Sequence, residues 1–336
     1  MSMIPQDVPT GAIRYNTDSN KMECFNGTKW MQIAVSSPDL DGGTRGIFSQ
    51  GMLTGGSVTG VHDYITIPTA GNAAEFGDTN SIYAQGACSD STRGLFVGGD
   101  SPAASDIDFV TIASLGSYTD SGSNLSGLQQ YPTGLSNGTR GVFAGGFAPG
   151  YLNIIEYVTI QSLGDANDFG DLSAAKFGMA AFASPTRGLF CGGEIEPAKI
   201  NTIEYITIAS TGNVQDFGDL TVTTYQAAGA SNSTRGISFG GRLAPTQNII
   251  AYITIATLGN AMDFGDLNNL STRDGGAAAS SIRAVFAGGD DVVTPANRTN
   301  EIRYVTIETA GDSVDFGDLT VARNHMSGIS NGHGGL

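Results

Sequence analysis

Apolar residues along this chain come in short alternating runs, and the runs return in one order. In IEYITIAS (203–210) the Tyr and Thr point one way and the two Ile of YITI the other, because strand side chains alternate. Before it stands the glycine-rich run TRGLFCGG (Thr186 to Gly193), and before that the small-residue run GMAAFAS (178–184). After a tight turn with Gly-Asn comes VQDFGDL. Each run has strand length, strand composition and turn residues at its borders, so the pattern predicts four strands per unit.

The unit repeats. Arg45, Arg93, Arg140, Arg187, Arg235 and Arg283 open its second strand at spacings of 47 or 48 residues. Phe76, Phe169, Phe217, Phe264 and Phe316, each followed by Gly-Asp, mark the last strand in five of the six copies. A fixed period of this size means a repeat architecture. Apolar residues on both strand faces call for sheets covered on both sides. Four-stranded sheets stacked radially, as in a β-propeller, meet that need; a two-layer sandwich would leave polar outer faces. The chain enters the first unit at its second strand, Thr44 to Phe48, and ends after a first-type strand, HMSGISNG (325–332), which reads like GLSNG (134–138). Pairing the two would close the ring and leave no open radial edge. The expected fold is all-β: a six-bladed β-propeller over 44–336, closed by the C-terminal strand.

Residues 1–35 lack the repeat. GAIRY, KMECF and KWMQI, separated by NTDSN and NGT, predict a small β-meander with Trp30 as its core. Such a unit buries too little to be stable alone and should pack on copies of itself, the rest of the chain or a partner. SSPDLDGG (36–43) reads as a linker.

Composition narrows the function classes. The net charge of −16 reflects few basic residues, with lysine at Lys21, Lys29, Lys176 and Lys199 only. Nucleic-acid backbones need clustered Lys and Arg, so neither a nucleic acid nor an anionic membrane is an expected partner. Cys24, Cys88 and Cys191 form no CxxC pair, and a disulfide framework is not expected. No run approaches the ~18 apolar residues of a membrane span. The N-terminus has neither the basic nor the apolar region of a signal peptide, which implies synthesis in a cytoplasm.

No residue announces catalysis, and a non-enzymatic protein without cofactor or metal is expected. The DFG tripeptide binds magnesium in protein kinases, but there it is needed once; here it recurs five times without a phosphate loop. Its repetition, like that of the six arginines, points to structure. An arginine held between blades needs a carboxylate or carbonyl partner, so arginines such as Arg187 are expected to bond to a DFGD aspartate or to backbone carbonyls of a neighbouring strand or blade. His62, His325 and His333 show no shared metal spacing. The segments freest to bind are the loops after each double glycine, which vary while the frame repeats and should gather on one side of the ring. Pro102, Pro149, Tyr151, Pro197, Pro245 and Asn297 are the candidate contacts there.

The order of an arginine, an apolar strand ending in Gly-Gly, an aromatic-led strand and an aromatic in the last strand resembles the kelch repeat, over about 290 residues. It departs at Gln50-Gly51 in the first unit, at YTDSGSNLS (118–126) in the second, and in having phenylalanine where kelch repeats carry tryptophan. The N-terminal PTGAIRYNTDSNKMECFNGTKWMQI resembles a short segment of structural and fibre proteins of tailed bacteriophages, notably of marine bacteria. The first resemblance implies a six-bladed kelch-like propeller. The second implies a virion surface protein, made in the host cytoplasm, whose residues 1–35, with Tyr15, Phe25 and Trp30, dock or oligomerise. Its partners would be other virion proteins, copies of itself and a host surface glycan or protein. A cellular protein- or carbohydrate-binding propeller with no virion role is the alternative.

Overall fold

The computed structural model describes residues 8–16, 21–32, 44–78, 81–242, 248–267, 272–291 and 297–332. The chain divides into two compact units, Met1–Gly42 and Gly43–Leu336. Among the described residues the structure is all-β, with no helix.

The first unit holds one antiparallel sheet, Ile13–Asn16, Lys21–Phe25 and Trp30–Gln32, in that order. Tyr15 opposes Met22, and Cys24 opposes both Ile13 and Met31, so these side chains share a face. Ile13, Tyr15, Met22 and Met31 are exposed on it, at 61%, 54%, 41% and 46%. On the other face Arg14 pairs with Glu23 at 2.7 Å and lies 4.2 Å over the Trp30 ring. The expectation of a Trp30 core is corrected here. Phe25 is the buried side chain, at 6% exposure, and Trp30 leans half-buried against it because it opens the edge strand.

The second unit is built from blade-like antiparallel sheets, one per repeat: among the described residues five are four-stranded, and that of repeat 1 has five strands. Repeat 4 shows the plan: Ala180–Ala183, Arg187–Cys191, Thr202–Thr207 and Gln215–Asp219, in spatial order. Repeats 2, 3, 5 and 6 follow it, with first strands Gly86–Ser89, Thr133–Ser136, Ala228–Ser231 and Gly276–Ala279. Repeat 1 takes its first strand from the other end of the chain. Ser327–Ser330 pairs with Arg45–Leu53, Gly328 opposite Phe48, as the sequence pattern led us to expect.

Each hydrophobic core lies between two sheets. Val142, Ile155 and Phe169 of repeat 3 pack with Phe190 and Ile206 of repeat 4, and the pattern recurs around the unit. In the third strand Ile203 and Ile206 are buried, Tyr205 is half-buried and Thr207 is exposed, and Ile208 just past its end is buried. The Tyr face is covered by a guanidinium, described below.

DFGD is a docking device. Ile203 opposes Gly218 and Glu204 opposes Asp216, which leaves Phe217 as the extra residue of a β-bulge and turns its ring into the core. Gly218 sits at φ +151°, and a Cβ there would stand 2.4 Å from the carbonyl oxygen of Gly259 in the next repeat. Gly259 in turn donates its N–H to the Phe217 carbonyl at 3.0 Å, and Asp219 N–H donates to Asn260 Oδ1 at 3.0 Å. The backbone N–H of the aspartate, rather than its carboxylate, makes this link.

The six first strands neighbour one another in a closed succession, each beside the first strands of the repeats before and after it. Their second positions read Ala87, Gly134, Ala181, Gly229, Ala277 and Gly328 in turn. A Cβ on Gly134, Gly229 or Gly328 would stand 2.3, 2.5 or 2.2 Å from the carbonyl oxygen of the preceding alanine. Those three close approaches exclude any side chain.

Candidate functional site

The six arginines form one repeated tie. Each guanidinium lies over the aromatic ring of its own third strand, at 4.2 to 4.7 Å for Tyr64, Phe109, Tyr157, Tyr205, Tyr252 and Tyr304. From there Nη1 donates to a carbonyl at the end of the next repeat's third strand. Arg45, Arg93, Arg140, Arg187 and Arg235 reach Ile112, Ile160, Ile208, Ile255 and Ile307 at 2.7 to 2.9 Å. Arg283 of repeat 6 returns to Ile67 and Pro68 of repeat 1 at 3.1 and 2.8 Å. Of the two partners expected for these arginines, the structure shows the carbonyls; none of the six pairs with a DFGD aspartate among the described residues. Carbonyls win because the bulge turns Phe inward and leaves its flanking aspartates outside.

The loops after the double glycines start at one end of the second unit. The residue following the glycines bridges to a residue just ahead of the same repeat's first strand: Asp100 to Tyr83, Phe147 to Gln130, Glu194 to Phe177, Arg242 to Tyr225. In repeat 6 Asp290 pairs with Arg273, and in repeat 1 Met52 pairs with Asn324. In each repeat the next residue has left-handed backbone: Ala84, Tyr131, Gly178, Gln226, Asp274 and His325, at φ between +53° and +69°. Five of these six are not glycine, so the chain accepts strain at all of them. Backbone bonds link the series, Tyr131 N–H to Ala84 O, Gln226 N–H to Gly178 O and Asp274 N–H to Gln226 O among them. All six line one cavity of about 110 Å³ at the mouth of the passage between the first strands.

Around this mouth aromatic side chains touch in sequence. Tyr83 and Tyr131 flank the His325 ring at 5.6 and 5.4 Å; Tyr131 meets Phe177 at 5.6 Å; Phe177 meets Tyr151 at 5.1 Å and Tyr225 at 6.0 Å. Tyr83 donates its hydroxyl to Asp100 at 2.7 Å, and Tyr151 to Glu194 at 3.1 Å. Burial and the adjacent carboxylate push each of these phenols up to about 12, so both are donors at neutral pH. Burial, then Asp274, raises the Tyr131 phenol as well. Asp274 Oδ1 lies 3.2 Å from His325 Nδ1, and Asp274 Oδ2 lies 3.6 Å from Arg273 Nε.

Of the loop residues singled out from sequence, Tyr151 joins this aromatic series. Pro102, Pro149 and Pro197 are exposed on the loops. Asn297 lies in a short strand opposite Asp291, and Pro245 falls outside the described residues. Sequence reasoning missed the dipeptides Tyr83-Ala84, Gln130-Tyr131, Phe177-Gly178, Tyr225-Gln226, Arg273-Asp274 and Asn324-His325. Their signal was present: at one fixed place before each small-residue strand, bulky polar and aromatic residues replace a repeated pattern. Among the described residues no three His, Cys, Asp or Glu side chains are grouped to hold a metal ion. Compared with known proteins, the chain matches no protein-family model and no curated protein.

Proposed function

We propose that the second unit is a six-bladed kelch-like β-propeller closed by its C-terminal strand, and that the chain is a non-enzymatic surface protein of a tailed-phage virion. Residues 1–35 attach it to other virion proteins or to copies of itself, and the loop-bearing end of the propeller makes structural or host-surface contact. The observation that carries the reading is the exposed apolar face of the first unit. Ile13, Met22 and Met31, with Tyr15 beside them, stand in solvent on a three-stranded sheet whose other face holds its single buried aromatic. A contiguous exposed apolar face marks an interaction site. The closed succession of arginine ties supports the propeller, and the resemblance of residues 9–33 to phage structural proteins supports the virion.

The test labels purified virus particles with an antibody against the protein and views them by electron microscopy. Label at regular positions is expected, on heads for a decoration protein or at the tail for host contact. Full-length protein carrying Met22→Lys and Met31→Lys should keep its thermal midpoint but be lost from particles. Unlabelled particles with the protein free in lysate would remove the virion role and leave a cellular binding module.

A further inference from the structure

The exposed face of the first unit carries a pattern that narrows what covers it. Ile13, Cys24 and Met31 lie directly opposite one another and form one row across the three strands. Ile13 and Met31, at its two ends, are exposed, and Met22 stands exposed beside Cys24 on the central strand. The charged pair Arg14–Glu23 is on the other face. Phe25 is the one buried apolar side chain among the described residues of the unit, so the sheet needs a second apolar layer to be stable.

Charge says where that layer comes from. Residues 1–35 hold Asp7, Asp18 and Glu23 against Arg14, Lys21 and Lys29, which sum to zero. The whole net charge of −16 therefore falls on residues 36–336. Copies of the chain repel one another through that acidic remainder, and the neutral first unit is where they approach at least electrostatic cost. A face without charge gives a charged partner nothing to pair with, whereas an identical face matches it.

The row is also its own complement. A two-fold axis along the central strand sets Ile13 on the copy's Met31, Met31 on the copy's Ile13, and Cys24 on Cys24. Every member of the row then meets an uncharged side chain, as an isologous contact requires. We propose that two copies of the chain pair through this face, central strand over central strand. The proposal rests on the reading of residues 1–35 as the attachment segment and names a second copy as their partner.

The test is sedimentation equilibrium of the purified full-length protein. A face this small falls at the weak end of the interface scale, so a Kd on the order of 10 μM is expected, bracketed by loading from about 1 to 300 μM. Met31→Lys places an ammonium group in the row and should weaken pairing at least tenfold. A second measurement uses the chain's own thiols. Cys88 and Cys191 are buried, at 5% and 1% exposure, and half-buried Cys24 is the accessible one. Facing sheets pack about 10 Å apart, so a short bismaleimide should join two wild-type chains and leave Cys24→Ser chains single. Pairing that survives Met31→Lys, or pairs that the reagent fails to join, would place the contact elsewhere and overturn the proposal. A monomer at every concentration would overturn it too; if that protein still labels particles, the face belongs to a different virion protein and the attachment reading stands. Cross-linked pairs in solution with unlabelled particles would uphold the dimer and remove the virion role alone.

Discussion

Repeats 2 and 4 fill the same frame in opposite ways. In repeat 4, Lys176 and Glu204 form a buried ion pair at 2.7 Å and Phe217 is the bulged residue of the outer strand. At the matching places repeat 2 has Ile82, Asp108 and the pair Ser121-Gly122. Without a cation at the position of Lys176, the Asp108 carboxyl is pushed up to about 6 by burial and by Asp106 and Asp120. Tyr118 takes the place of Val214, stacks on Phe96 at 4.6 Å and meets the His62 ring at a tilt at 4.2 Å, its hydroxyl bonded to Ser49. Yet Arg93 ties repeat 2 to repeat 3 as Arg187 ties repeat 4 to repeat 5. The frame thus lives in the arginines and the backbone, while interior charge and aromatic filling vary from sheet to sheet.

Making repeat 4 resemble repeat 2 should cost most. Lys176→Ile leaves Glu204 buried without its cation and is expected to lower the unfolding free energy by about 4 kcal/mol. Adding Glu204→Ala, which copies the Ala251 of repeat 5, should restore most of it; denaturant unfolding of both proteins decides. A single variant that unfolds like wild type would show the pair to be ornamental.

Cutting the common frame comes next. Arg187→Met removes two charge-assisted bonds, to Ile255 and Ala256, and the stack on Tyr205. A loss of about 2 kcal/mol is expected, and an unchanged melting temperature would end the view that these arginines hold neighbouring sheets together.

The acid response of His62 sharpens the comparison between repeats. It occupies the place of Ile107, Ile155, Ile203, Ile250 and Ile302, is fully buried, and has no hydrogen bond on either ring nitrogen among the described residues. Burial, then Arg323, lowers its pKa to about 3. Between about 6.5 and 3 the unfolded chain binds a proton that the folded one refuses, so stability falls as pH falls through that window. His62→Ile should remove this loss, gaining about 2 kcal/mol over wild type at pH 5 relative to their difference at pH 7. Paired unfolding curves at the two pH values measure it.

The smallest effect belongs to Asp108. Its folded carboxyl holds a proton more tightly than the unfolded one, so its contribution is lost as pH rises from about 4 through 6. Asp108→Asn should add about 1 kcal/mol at pH 7 after solvent screening, and nothing at pH 4. A gain that persists at pH 4 would assign the effect to packing instead.

What could be read in the sequence was whatever the backbone demands of every copy. The period, the four strands and the strand supplied by Ser327–Ser330 were legible because bulges, close approaches and left-handed turns restrict residue type. Even Gln50-Gly51 obeys the frame: Gln50 takes φ +53° where Gly98 and Gly192 take +61° and +68°. The arginine partners were legible only as alternatives, since a carbonyl acceptor leaves no mark on side-chain identity. The mouth of the passage was hidden for the opposite reason. Ala84, Tyr131, Gln226, Asp274 and His325 adopt a glycine-like backbone without being glycine, so nothing in their identity betrays the shared conformation. That Phe25 is buried more deeply than Trp30 was not legible, because two aromatics on one face of a three-stranded sheet cannot be ranked without knowing which strand lies at the edge.

The pairing of Ser327–Ser330 with Arg45–Leu53 sets a timetable for the newborn chain. Arg45 N–H finds its acceptor, Asn331 Oδ1, 286 residues later. At ribosomal speed that interval lasts roughly 15 to 60 s. Throughout it the first sheet waits with an open edge while sheets 2 to 6 are finished beside it. Exposed edges pair readily with other chains, so any protein made at high copy from this plan is most vulnerable to aggregation during translation, and a chain that stops short of its last strand keeps that vulnerability for good.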